Sequence, residues 1–177
     1  MFSTVQEFQE EWLQEAALTQ KVLDALVDAA LHQPVSAGGR TLGRIAWHIT
    51  TSVPQFLNRF GVATPMVQEA DGIPSSAQEI ANTFRSVAAN AATAVREQWT
   101  DATLTQVQDF FGRETPNAVI LSQLIKHIVH HRGQMTVLMR QAGLNVPGVY
   151  GPSKEEWSRI GQNPPAIYSI HAIRSTS

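Results

Sequence analysis

The stretch KHIVHHRGQM, Lys126 to Met135, sets three histidines into a segment that otherwise reads as apolar helix. The apolar face runs Ile120, Leu124, then His127 and His131, then Leu138 and Ala142. Two imidazoles stand where core side chains are expected. Residues four apart lie one turn from each other on the same face of a helix. In this H-x-x-x-H spacing both rings can reach one ion, at about 2.0–2.1 Å. A third ligand must come from another helix. His48 is the obvious candidate, beside Ile45 and Ile49 on the buried side of an earlier helix. Burying imidazoles without partners costs about 1–3 kcal/mol for each unsatisfied group, and one shared ion satisfies all three. His48, His127 and His131 are therefore candidate metal ligands, with coordination positions open to water or substrate. The competing reading is a metal-free bundle with hydrogen-bonded core histidines.

Two neighbours extend this face. His130 flanks it and is the candidate catalytic or substrate-facing group, although a solvated histidine is the commoner occupant of such a position. Gln134 lies one turn on. It either orients a ligand and fixes its tautomer, or is an ordinary polar residue at a bundle edge. Trp47 reads as core. His32 and His171 fall near a helix end and in the tail, and carry no assigned role.

Working outward, the spacing predicts four long helices. The first spans about Ser3 to His32, with Val5, Phe8, Trp12, Ala16, Leu23, Leu26 and Ala30 on one face and Thr19 as the single polar gap. PVSAGGR breaks it. The second begins after Thr41 and runs to Phe60, with Pro54 inside. That proline is either a harmless kink or a device that opens space beside the bundle axis. The connector from Gly61 to Ser75 is long enough to run the length of a bundle, so the third helix can lie parallel to the second through a crossover. Ser76 and Glu79 have capping-box spacing at its start. Val107 to Phe111, followed by Gly112, reads as a small hairpin. Thr115 reads as the N-cap, and Pro116 as the first residue, of the fourth helix, which ends at Gly143. Ser153 and Glu156 repeat the capping-box spacing and predict a short helix over about 154–160. Glu155 and Glu156 read as charges favoured in its first turn. An extended tail over about 161–177 completes a single domain of 177 residues.

Composition narrows the function. Hydrophobic residues make up 43% and charged residues 16%, as in a globular chain. Net charge is −2 and no Lys/Arg run occurs, which argues against nucleic acid. Cysteine is absent, which removes disulfides, thiolate zinc sites and a catalytic thiol. The acidic, amphipathic N-terminus lacks the features of a signal peptide, and no apolar run approaches the roughly 20 residues of a membrane span. A cytoplasmic protein is expected. There is no Gly-rich phosphate loop, and no Ser–His–Asp set can be argued from spacing.

His48, the run Lys126 to Gln134, and the tail PGVYGPSKEEW from Pro147 together resemble the DinB family of small helical proteins, within the DinB/YfiT-like superfamily. The tail's Gly143, Pro147, Tyr150, Gly151 and Pro152 belong to the likeness, which covers nearly the whole chain. The resemblance implies an all-α four-helix bundle, often a homodimer, with a divalent metal on three histidines. By position these are again His48, His127 and His131. Superfamily relatives include transferases and isomerases that use low-molecular-weight thiols. Zinc and nickel both suit an imidazole set. Two functions follow as expectations. One is a metal-dependent hydrolase or thiol S-transferase acting on a small electrophile. The other is a non-catalytic metal-binding stress-response protein.

Overall fold

The computed structural model describes residues 2–68 and 72–168. His171 and the end of the expected tail lie outside the described residues. Helix α1 spans Val5–Leu23, α2 Leu42–Arg59, α3 Ala77–Gln98, the single turn α4 Asp101–Leu104 and α5 Asn117–Gln141. Strands β1 (Val107–Asp109) and β2 (Glu114–Pro116) form the antiparallel hairpin before α5.

Side chains of α1 walk down the carbonyls of α3. Gln9 donates to Ala92 (2.9 Å), Trp12 to Ala88 (3.0 Å) and Gln20 to Ala81 (3.0 Å). Residue numbers rise on one helix as they fall on the other, so α1 and α3 are antiparallel. At the end of α2, Ala63 and Gln98 exchange two hydrogen bonds, which brings the C-terminal ends of α2 and α3 together. At the other end, the Asp28 carboxylate that follows α1 accepts the Ala77 N–H at 2.7 Å and caps α3. Helices α2 and α3 are therefore parallel, and the 61–75 connector is a crossover. Helix α5 packs between α1 and α2, antiparallel to α2.

The first helix is shorter than its periodicity predicts. It stops at Leu23, and Asp28–His32 form a separate 3-10 turn. Leu26 and Ala30 remain buried across the break. Apolar spacing records burial, which a turn can preserve, so it could not show that the backbone had left the helix. Helix α2 runs through Pro54 without ending. Just before it, the buried hydroxyls of Thr50, Thr51 and Ser52 donate to the carbonyls of Ala46, Trp47 and Ile49, each at 3.1 Å. These polar residues are thus satisfied within their own helix.

Thr115 is not an N-cap. It pairs with Gln108 in the hairpin, and Pro116 occupies the cap position. The Gln108 side chain ties this hairpin to the Phe60 carbonyl (3.1 Å) and to Asn117 (2.6 Å). Gly143, with φ 76°, ends α5 in the left-handed conformation, and the Leu144 N–H returns to the Met139 carbonyl at 2.9 Å.

The segment 154–160 forms turns and a 3-10 helix at Ser158–Ile160 in place of the expected helix. Its acids are tail anchors: Glu156 accepts the N–H groups of Gly148 (3.0 Å) and Ser153 (3.1 Å), and Glu155 pairs with Arg140. Tail and bundle meet at a buried charge. Arg132 is 1% exposed and donates to the Glu15 carboxylate (2.7 Å), the Glu15 carbonyl (3.0 Å) and Thr19 (3.1 Å). The Tyr150 hydroxyl closes the network on the same carboxylate at 2.7 Å. Sequence reasoning missed this cluster. Its one signal was Thr19, the polar gap in the first helix.

A buried pair is costly to break from one side, because the remaining charge is stranded. Arg132→Met is expected to destabilise the protein by about 3–5 kcal/mol in urea denaturation. Tyr150→Phe should cost only about 1 kcal/mol. Arg132→Met with Glu15→Leu should regain much of the first loss.

Candidate metal centre

The antiparallel packing of α2 on α5 brings His48, His127 and His131 together. Their ring centroids lie 5.1 Å (His48–His127), 4.8 Å (His48–His131) and 4.5 Å (His127–His131) apart. One ligand nitrogen from each lies within 4.8 Å of the others. An ion bound at about 2.1 Å spans at most about 4.2 Å between opposite nitrogens, so small ring rotations would close the set. His131 is buried and the other two are half-buried at the bundle wall.

The surroundings prepare these rings for ligation. Burial first, then the neighbouring imidazoles of His131, His48 and His130, push His127 down to about 4. Burial also lowers His131, against a hydrogen bond to Gln134 that raises it. Both rings are neutral at pH 7, the form that binds a metal. The His131 Nδ1 donates to the Gln134 side-chain oxygen at 2.8 Å, which leaves its Nε2 lone pair for an ion. The Gln134 amide donates in turn to His130 Nε2 at 3.2 Å. His127 Nε2 is buried and has no hydrogen-bond partner among the described residues. That orphaned nitrogen, with two more imidazoles beside it, fits a divalent cation of the borderline-soft class.

The structure places His130 outside the three-ring group, exposed, with its ring 4.9 Å from that of His131. Trp47 is buried in the core and His32 ends the 3-10 turn. Arg40, which the sequence reading passed over beyond two glycines, carries a charge that also lowers His131.

The depressed His127 value gives a stability prediction for the metal-free protein. An unfolded histidine takes a proton near pH 6.5, whereas folded His127 does so near 4. Between those values the unfolded state binds the extra proton, so stability falls as pH drops through this window. Urea midpoints should decrease from pH 7 to pH 5 more steeply for the wild type than for His127→Asn. Histidine ring NMR of the chelator-treated protein should place His127 at a midpoint near 4; a midpoint near 6.5 would remove the burial argument.

Comparison with known proteins places the fold in a family. The family model described as the DinB family matches residues 1–167. An uncharacterized protein of Bacillus subtilis (strain 168), YrdA, is 44% identical over 167 residues, which is 94% of this chain and 100% of that protein. A DinB-like protein from Bacillus cereus, known from its crystal structure, is 47% identical, with a TM-score of 0.80 over 85% of this chain and 100% of its own. A second DinB-like protein, YjoA of Bacillus subtilis, shares the fold at 20% identity and a TM-score of 0.63, over 81% of this chain and 96% of its own. A four-helix bundle with a crossover, a hairpin ahead of the last long helix and a whole-chain family match lead to one statement: this chain belongs to the DinB family.

Proposed function

We propose that this protein is a divalent-metal-dependent enzyme whose ion, zinc or nickel, is held by His48, His127 and His131, and that it carries out thiol-dependent S-transfer to, or hydrolysis of, a small electrophile. The observation that carries this reading is the convergence of three imidazoles from two helices, one of them with a buried nitrogen that no other group among the described residues satisfies. A divalent cation supplies Lewis acidity, lowering the pKa of a bound water or small thiol toward neutrality.

The chain's own residues do the remaining work. Burial keeps His127 neutral and available. Gln134 holds His131 in one tautomer and links it to His130. His130, exposed at the rim, is the proton carrier in this reading: its Nε2 exchanges the Gln134 hydrogen bond for the proton released when a thiol or water attacks, and passes that proton to the leaving group. The chain has no cysteine, so any sulfur nucleophile arrives as a low-molecular-weight cosubstrate. A reducing compartment such as the cytoplasm suits that chemistry, and the family resemblance supports a homodimer. No helix among the described residues is long and apolar enough to cross a membrane.

A metal-binding stress-response protein without turnover is the second reading. It draws on the make-up of the group: three imidazoles from two packed helices can hold an ion without any further residue taking part in chemistry.

Metal analysis of untagged protein, paired with turnover of an alkyl halide in the presence of added thiol, separates the two. The wild type should hold close to one equivalent of metal per chain. His48→Ala should lose metal and at least about a hundredfold in turnover. Unchanged activity in His48→Ala would remove the metal from the mechanism. A chelator-sensitive melting temperature with no turnover would favour the second reading.

A further inference from the structure

Beside the histidines lies a groove of about 400 Å³, within the range of roughly 300–1,000 Å³ that small-molecule sites occupy. Gln134, Val137 and Leu138 of α5 line it, together with Val35 and Arg40 of the turn that precedes α2. Gln134 is shared: it bounds the groove and holds His131 through its side-chain oxygen. The groove therefore adjoins the three-histidine group.

The turn that carries Arg40 is a built element. Pro34 bridges to Thr41 across it. The Val35 N–H donates to the Arg40 carbonyl at 2.9 Å, and Gly39 N–H to the Ser36 carbonyl at 2.9 Å. A Cβ on Gly39 would sit 2.8 Å from the Ser36 hydroxyl and 3.2 Å from the Ser36 backbone N and O, so the tight closure leaves little room for a side chain there. Thr41 then caps α2, accepting the Arg44 N–H at 3.2 Å. The Arg40 backbone is thereby fixed relative to α2 and α5. Its exposed guanidinium makes no hydrogen bond or ion pair among the described residues, and no acidic side chain lines the groove. A planar guanidinium presents paired donors that match a carboxylate or a phosphate. Val35 and Val137 offer apolar surface next to it, over buried Leu138.

We propose that this groove is a subsite for a small molecule with an anionic head group, carboxylate or phosphate, on a short apolar body, with Arg40 taking the anion. That this molecule is a substrate of the three-histidine centre rests on the metal reading above; the anion binding itself does not.

The test titrates hexanoate, hexyl phosphate and the uncharged hexanamide into wild type and Arg40→Ala, each as purified and after chelation, followed by NMR. At least one anion should bind the wild type about tenfold or more tightly than hexanamide, and Arg40→Ala should erase that difference. Hexanamide binding and metal content should be unchanged in the variant. The anion that binds more tightly identifies the head group. Equal binding of the anions by wild type and Arg40→Ala overturns the subsite, as does hexanamide binding as well as the anions. Anion binding that chelation abolishes and Arg40→Ala does not would place the anion on the ion and also overturn it. Arg40-dependent binding in a protein that holds no metal even as purified would keep the subsite and sink the metal reading.

Discussion

Everything in this fold that bears on chemistry depends on α2 lying antiparallel against α5. The crossover between α2 and α3 makes that arrangement possible, because it frees α5 to take the place between α1 and α2. Once the two helices are packed, His48 meets His127 and His131 at a wall that is neither dry core nor open surface. Partial burial is what this chemistry needs. It keeps His127 and His131 neutral, the ligating form, while leaving one side of the group toward solvent.

Adjacent residues of α5 do opposite jobs. His131 turns toward α2, and Arg132 turns toward α1, where Glu15, Thr19 and Tyr150 surround its guanidinium. Directional contacts on both sides leave the helix one rotation about its axis. The Arg132 cluster also recruits Tyr150 from the tail, so the segment after α5 is pinned to the same charge. Desolvating such a pair is costly, and its contribution is better described as fixing the helix than as adding net stability.

Much of this was legible in the residues. Helices α2 and α3 began at the threonine and serine caps that spacing predicts, and α5 ended at Gly143. The hairpin also lay where the turn residues placed it. The histidines were visible because they interrupt an apolar stripe. Less legible were the early end of α1, where Leu26 and Ala30 stay buried through a turn, and Thr115, whose cap-like chemistry yields to strand pairing. Glu155 and Glu156 looked like helix charges and instead hold the tail, since capping-box residues serve equally well in a tight turn.

The sequence by itself determined the helices, their buried faces and the two histidines of α5, because those depend on neighbours within one or two turns. Only the tertiary structure decided that His48 faces that pair, that Arg132 finds Glu15 across more than a hundred residues of chain, and that Arg40 borders a groove shared with Gln134. Local spacing sets which face of a helix is apolar; the meeting of polar groups from distant segments depends on how the helices are arranged around a common core, and no short stretch of chain encodes that alone.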